Sequence, residues 1–99
     1  MIALAGTVRI QPGKRDAALP HIRAMVAASR AEPGCLKYSF AFDVSDDHLV
    51  HIFEVFESTD AREYHRHSPH MHAWRAAWTE AGVGDRDMME YDVFASRKI

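Results

Sequence analysis

The order strand, helix, strand, strand, helix pair, strand within 99 residues predicts an α+β domain. Its type is a ferredoxin-like split β-α-β fold on a four-stranded antiparallel sheet. Two patterns carry that expectation. Four short runs rich in β-branched and aromatic residues end in Gly, Pro, Asp or Ser turns, and the two long intervals between them repeat apolar residues every three or four positions. In addition, two of the runs are apolar on both faces, so the sheet needs a cover on each side.

Residues 2–10 read as the first strand, with Ile2, Leu4, Val8 and Ile10 on one face. Gln11-Pro12-Gly13-Lys14 is a turn. A helix follows to about Ala31, with Leu19, Ile22, Met25, Val26 and Ser29 inward; Pro20 lies inside it and removes a backbone donor, so the helix either starts near Pro20 or bends there. Glu32-Pro33-Gly34 ends the helix. Residues 35–43 alternate, Leu36, Tyr38, Phe40 and Phe42 one way and Lys37, Ser39 and Ala41 the other. Ser45-Asp46-Asp47 makes a hairpin turn into a third strand over 48–57, whose two faces are Leu49, Phe53, Val55 and Val50, Ile52, Phe56. Gly82-Val83-Gly84 stops the last helix, and 88–96 reads as the fourth strand. No repeat, linker or low-complexity tract divides the chain, so 1–99 is one domain.

The helix pair holds the densest chemistry. Residues 58–78 carry four of the seven histidines (His65, His67, His70, His72) and both tryptophans. Ser68-Pro69 reads as an N-cap followed by proline at the first helical position. That places His70 in the first turn, where the positive end of the helix dipole biases an imidazole toward its neutral form. Met71, Trp74 and Trp78 form an apolar stripe on the same helix. A neutral histidine beside an aromatic wall suits a reaction pocket and equally a packed helix.

Composition narrows the classes. A net charge of -2, with no stripe concentrating the twelve Lys and Arg, gives no footprint for nucleic acid. No apolar run reaches the roughly 18 residues of a membrane span. The N-terminal residues lack the basic and long apolar regions of a signal peptide, so a cytoplasmic location is expected. The single Cys35 cannot form an internal disulfide and reads as a buried or half-buried strand cysteine. No dinucleotide-binding glycine pattern or P-loop occurs. The spacing of His65, His67, His70 and His72 crosses a helix break without H-E-x-x-H or paired cysteines, and no metal site is expected.

Four patches in this order, G-T-V-R-I-Q-P-G-K, E-P-G-C-L-K-Y, I-F-E-V-F-E-S and A-R-E-Y-H-R-H-S-P-H-M, together resemble the antibiotic biosynthesis monooxygenase (ABM) family over nearly the whole chain. The resemblance implies a dimeric α+β barrel with a pocket between each subunit's helices and sheet. It also implies relatives that oxygenate quinols or polycyclic anthrone-type phenols without metal, flavin or haem, alongside haem-degrading and isomerising branches. Glu54, His65 and His70 occupy family positions. The haem-degrading branch uses an asparagine on the first strand and a histidine on the last helix; here those places hold Gly6 or Thr7 and Trp74 or Arg75, so no haem, and no cofactor at all, is expected.

The resulting expectation is a homodimeric, cofactor-independent monooxygenase acting on a small aromatic substrate and dioxygen. A deprotonated phenol or hydroquinone can itself reduce oxygen if the protein supplies a base and a dry pocket. His70 is the first candidate base and His51 the second, if its strand face lines the pocket. Met71, Trp74, Trp78, Phe53 and His65 are the candidate substrate contacts. Glu54 points away from His51, toward an arginine across a dimer or into the pocket. His67 and His72 face solvent, as do Arg62, Arg66 and Arg75. The alternatives are a non-catalytic dimeric module that binds a small ligand, and a cofactor-free isomerase in the same pocket. One subunit's helices cover only one sheet face, and the other is expected to meet the same face of a second copy.

Overall fold

The computed structural model describes residues 1–99. Strand β1 (Ile2–Ile10) leads into helix α1 (Arg15–Arg30), and β2 (Cys35–Asp43) and β3 (Asp46–Phe56) form a hairpin. Helices α2 (Thr59–Arg66), α3 (Pro69–Ala76) and α4 (Trp78–Ala81) precede β4 (Val83–Asp92). The sheet order is β2-β3-β1-β4 and every pairing is antiparallel, the ferredoxin-like arrangement that the element order predicts. No helix is long and apolar enough to cross a membrane.

Register decides which side chains meet. The row Tyr38, Glu54, Leu4, Glu90 crosses the four strands, with Phe40, Ile52, Gly6, Met88 beside it. Directly paired residues share a face, and this is the face the helices cover. Ile2, Leu4, Val8, Ile10, Val50, Ile52 and Phe56 are buried there against Ala18, Ile22, Met25 and Val26 of α1 and Trp74 of α3. Gly6 is required where β1 meets β4, because a Cβ would run into the Asp87 carbonyl. The rows on the opposite face are Ser39, Phe53, Ala5, Met89 and Ala41, His51, Thr7, Asp87. No helix covers them, and Phe53, Met89 and Tyr91 are exposed.

Three local expectations change. Leu36 does not join the inward row: the register slips between Cys35 and Lys37, a bulge that leaves Leu36 unpaired and exposed. The fourth strand occupies 83–92 rather than 88–96. Gly82, at φ 67°, reverses the chain at once; Val83 and Gly84 pair with Ile10 and Arg9, the register shifts across Asp85-Arg86, and pairing resumes where Asp87 meets Thr7. An edge strand needs hydrogen-bonding backbone, not an apolar sequence. Trp78 lies on the one-turn α4 beyond Ala77, not on the helix of Met71 and Trp74. The indoles still meet edge to face with centroids 6.4 Å apart.

Candidate active site

A cavity of about 400 Å³ opens between α2, α3 and the covered sheet face. Leu4, Glu54 and Arg86 line it from the strands; Arg62, His65 and Arg66 from α2; Met71 and Arg75 from α3; Trp78 from α4; and His67 from the α2–α3 connection. Glu54, Met71, Trp78 and Arg86 also bound a smaller inner void of about 30 Å³, walled by Tyr38, Phe40, Ile52 and Trp74.

Local sequence positions these groups. Ser58 caps α2, its hydroxyl accepting from the Ala61 N–H. Ser68 caps α3 by accepting from Met71 N–H, with Pro69 in the first turn, as the Ser-Pro pair predicts. The Ser68 hydroxyl also donates to the His65 carbonyl at 2.7 Å. One side chain therefore ends the helix that carries His65 and starts the helix that carries His70.

Behind the cavity lies a buried polar cluster. His65, 1% exposed along its side chain, places Nδ1 2.8 Å from Glu32 Oε2. His70 Nε2 approaches the same oxygen at 2.6 Å. Burial holds His65 below the ordinary histidine range, against the opposing pull of Glu32. In the neutral ring Nδ1–H donates to Glu32 and Nε2 remains an acceptor. That nitrogen faces the Tyr38 hydroxyl at 3.3 Å and Glu54 Oε1 at 3.6 Å. Burial raises the Glu54 carboxyl to about 7, outweighing the Arg62 and Arg86 guanidinium groups that pull it down. A carboxyl poised there accepts and returns a proton near neutral pH. Burial, reinforced by Glu54, keeps the Tyr38 hydroxyl protonated. Burial likewise raises the Cys35 thiol to about 11, as suits an unreactive strand cysteine.

Glu32, His65 and His70 are also donor types a metal ion accepts, and their ligand atoms lie within 4.8 Å of one another. The N···O separations of 2.6 and 2.8 Å decide how to read them. Two ligands on one tetrahedral ion at about 2.0–2.1 Å lie roughly 3.3 Å apart. The observed distances are those of hydrogen bonds, with one carboxylate oxygen shared by two imidazoles.

The sequence-predicted residues divide into three groups. His65, Met71 and Trp78 line the cavity, while Trp74 walls only the inner void and is buried in the core. His70 stands one carboxylate behind the cavity instead of facing it. His51 and Phe53 are not brought to the site, because their parity on β3 turns them to the uncovered face; His51 bonds Asp43 there. Glu54, for which two directions were open, points into the cavity.

Glu32 was missed. In the sequence it is one residue of the turn that ends α1, and nothing in E-P-G announces burial. Tyr38 left a signal: a tyrosine alternating with core phenylalanines must find a partner for its hydroxyl. Arg62, Arg66 and Arg75 read as a solvated face because helical spacing does not show that a cavity opens beneath them.

The family model for antibiotic biosynthesis monooxygenase matches residues 1–77. A Synechocystis protein, sll1783, is 34% identical over 71 residues, which are 72% of this chain and 48% of that protein; the chain thus spans about half its length. The Mycobacterium tuberculosis protein named "Putative monooxygenase Rv0793" is 33% identical over 75 residues, covering 76% of this chain and 73% of its own. Its solved structure superposes with a TM-score of 0.84 over 98% of each chain, at 25% identity. The structure of PA3566 from Pseudomonas aeruginosa superposes with a TM-score of 0.83 at 31% identity, covering 95% of this chain and 94% of that one. Family and relatives' names support a general monooxygenase-like role. The match over residues 1–77, together with the shared fold, shows that this chain belongs to the antibiotic biosynthesis monooxygenase family.

Proposed function

We propose that the protein oxygenates an electron-rich phenol or hydroquinone with dioxygen, without metal, flavin or haem, and that Glu54 is the base. The observation that carries this reading is a buried carboxyl, raised to about 7, lining a cavity that holds Met71 and Trp78 on its apolar side. Glu54 takes the substrate proton, and His65 Nε2, 3.6 Å behind it, shares that proton while Glu32 holds the ring in place. The carbanion or phenolate so formed reduces oxygen directly. For an anthrone-type methylene the balance is CH2 + O2 → C=O + H2O. Both C–H bonds are consumed, one oxygen atom stays on carbon and the other leaves as water. A hydroquinone going to a hydroxyquinone balances in the same way, so no external reductant is needed.

His70 serves this chemistry from one step back. It holds Glu32 Oε2 from the solvent side, and the chain Glu54, His65, Glu32, His70 gives the abstracted proton a path outward. The uncovered sheet face supports a second part of the reading: exposed Phe53, Met89 and Tyr91 suit closure against the same face of another copy.

Oxygen uptake by metal-stripped protein with hydroquinones and anthrones tests the assignment. Glu54→Gln is expected to lower turnover about 10²–10⁴-fold and His70→Ala about tenfold. The wild-type rate is expected to rise with pH through about 7, as Glu54 loses its proton. Full activity in Glu54→Gln would show that the base lies elsewhere. The same base among guanidinium groups also suits a proton-shifting isomerase; substrate conversion without oxygen uptake would favour that reaction.

A further inference from the structure

Four arginines, Arg62, Arg66, Arg75 and Arg86, line the cavity that holds Glu54. Their partners separate them. Arg62 Nε donates to Glu90 at 3.0 Å, and Arg66 lies 3.4 Å from Glu63. Arg75 meets no carboxylate; its guanidinium donates to the Arg66 carbonyl at 2.9 Å, which fixes its direction. Arg86, on β4, makes no hydrogen bond or ion pair within the chain, although its charge reaches Glu54. The cavity therefore offers two guanidinium groups without a carboxylate and one carboxyl whose charge is suppressed by burial. A neutral ligand would shield both cations from water and compensate neither, whereas an anion would meet a prepared counter-charge.

We propose that the cavity is selective for aromatic acids, binding the substrate carboxylate through Arg75 and Arg86 while the ring lies against Met71 and Trp78. A carboxylate is favoured over a bare phenolate because guanidinium presents a planar pair of donors that matches two oxygens. The inference rests on this cavity being the substrate site of the proposed oxygenation. It narrows the substrate to a phenol or hydroquinone that also carries a carboxylate, which leaves the phenolic end free for Glu54.

The test is calorimetric titration of the full-length protein with naphthoate and with its methyl ester. Neither is an oxidisable phenol, so binding is read without turnover. Wild type is expected to bind the acid at least about tenfold more tightly than the ester, with a preference that weakens as salt is added. Arg86→Gln, on an exposed strand and without an internal partner, leaves the fold intact and is expected to bring the two affinities close together; Arg86→Lys is expected to restore part of the difference. Equal affinity for acid and ester in wild type, failure of both to bind, or a preference that survives Arg86→Gln and Arg75→Gln alike would overturn the proposal. The oxygenase reading fails separately. Acid-selective binding with no oxygen uptake from any phenolic acid leaves this inference standing and removes that one, while uptake from neutral quinols without acid selectivity does the reverse.

Discussion

His65 and His51 each meet a carboxylate at almost the same distance, 2.8 Å to Glu32 and 2.7 Å to Asp43. They differ in where the pair stands. The His65 side chain is 1% exposed, packed against the rings of Tyr38, Phe56 and His70, whereas His51 is 54% exposed on the uncovered sheet face. Water screens the outer pair, and its visible consequence is that the His51 hydrogen bond holds Asp43 below the ordinary carboxylate range. Around the inner pair, burial dominates: it pushes His65 below the ordinary histidine range and raises the neighbouring Glu54 to about 7. A histidine–carboxylate distance alone does not make a proton-transfer site. The desolvated setting around it does.

Breaking each pair should expose the difference. His65→Ala removes a buried ring, opens a cavity beside Tyr38 and Phe56 and leaves Glu32 with His70 alone, and is expected to cost about 3–5 kcal/mol in urea unfolding. His51→Ala should leave the unfolding midpoint within experimental error; comparable losses in the two variants would show that the outer pair is not screened as described.

The pH dependence of stability sharpens the contrast. Glu54 has a folded pKa raised from 4.5 to about 7, so its contribution is present below 4.5 and is lost as pH rises through 7, a change of about 3 kcal/mol. His65 has a folded value below 6.5, so its contribution is present above 6.5 and is lost as pH falls. The two slopes oppose one another in the wild type. In Glu54→Gln only the histidine slope remains, and stability should rise with pH over a window that ends at about 6.5. A variant that still loses stability over that window would show that another group titrates there. Asp43, held low by His51, acts only below its ordinary 3.8 and falls outside the window.

The uncovered face should answer to association rather than to pH. Phe53→Asp is expected to shift sedimentation from dimer to monomer while leaving the inner cluster folded. An unchanged sedimentation coefficient would mean that this face is not the contact. Ser68→Ala removes the α3 cap at a cost of about 1 kcal/mol, read as a small drop in the urea midpoint.

Much of this architecture is written locally. Alternation along 48–57 separates Glu54 from His51, and Ser68-Pro69 announces the start of α3, because parity in a strand and capping at a helix end are set by neighbours in the chain. The roles of His70 and Phe53 were not written in that way. His70 has the helix-start setting expected of it, yet Glu32, thirty-eight positions earlier, stands between it and the cavity. Phe53 looked like pocket wall only because aromatic character carries no information about which sheet face the helices will cover.

The order of elements along the chain, the cap residues and the two-faced apolar pattern follow from the amino-acid order alone, since each depends on φ/ψ preference and on periodicities of two or 3.6 residues. The proton site does not. It exists because the α1–β2 turn, α2 and α3 pack against one sheet face and bring Glu32, His65, His70 and Glu54 together out of water. Desolvation, which tunes those groups, is a property of the closed assembly and of no segment within it.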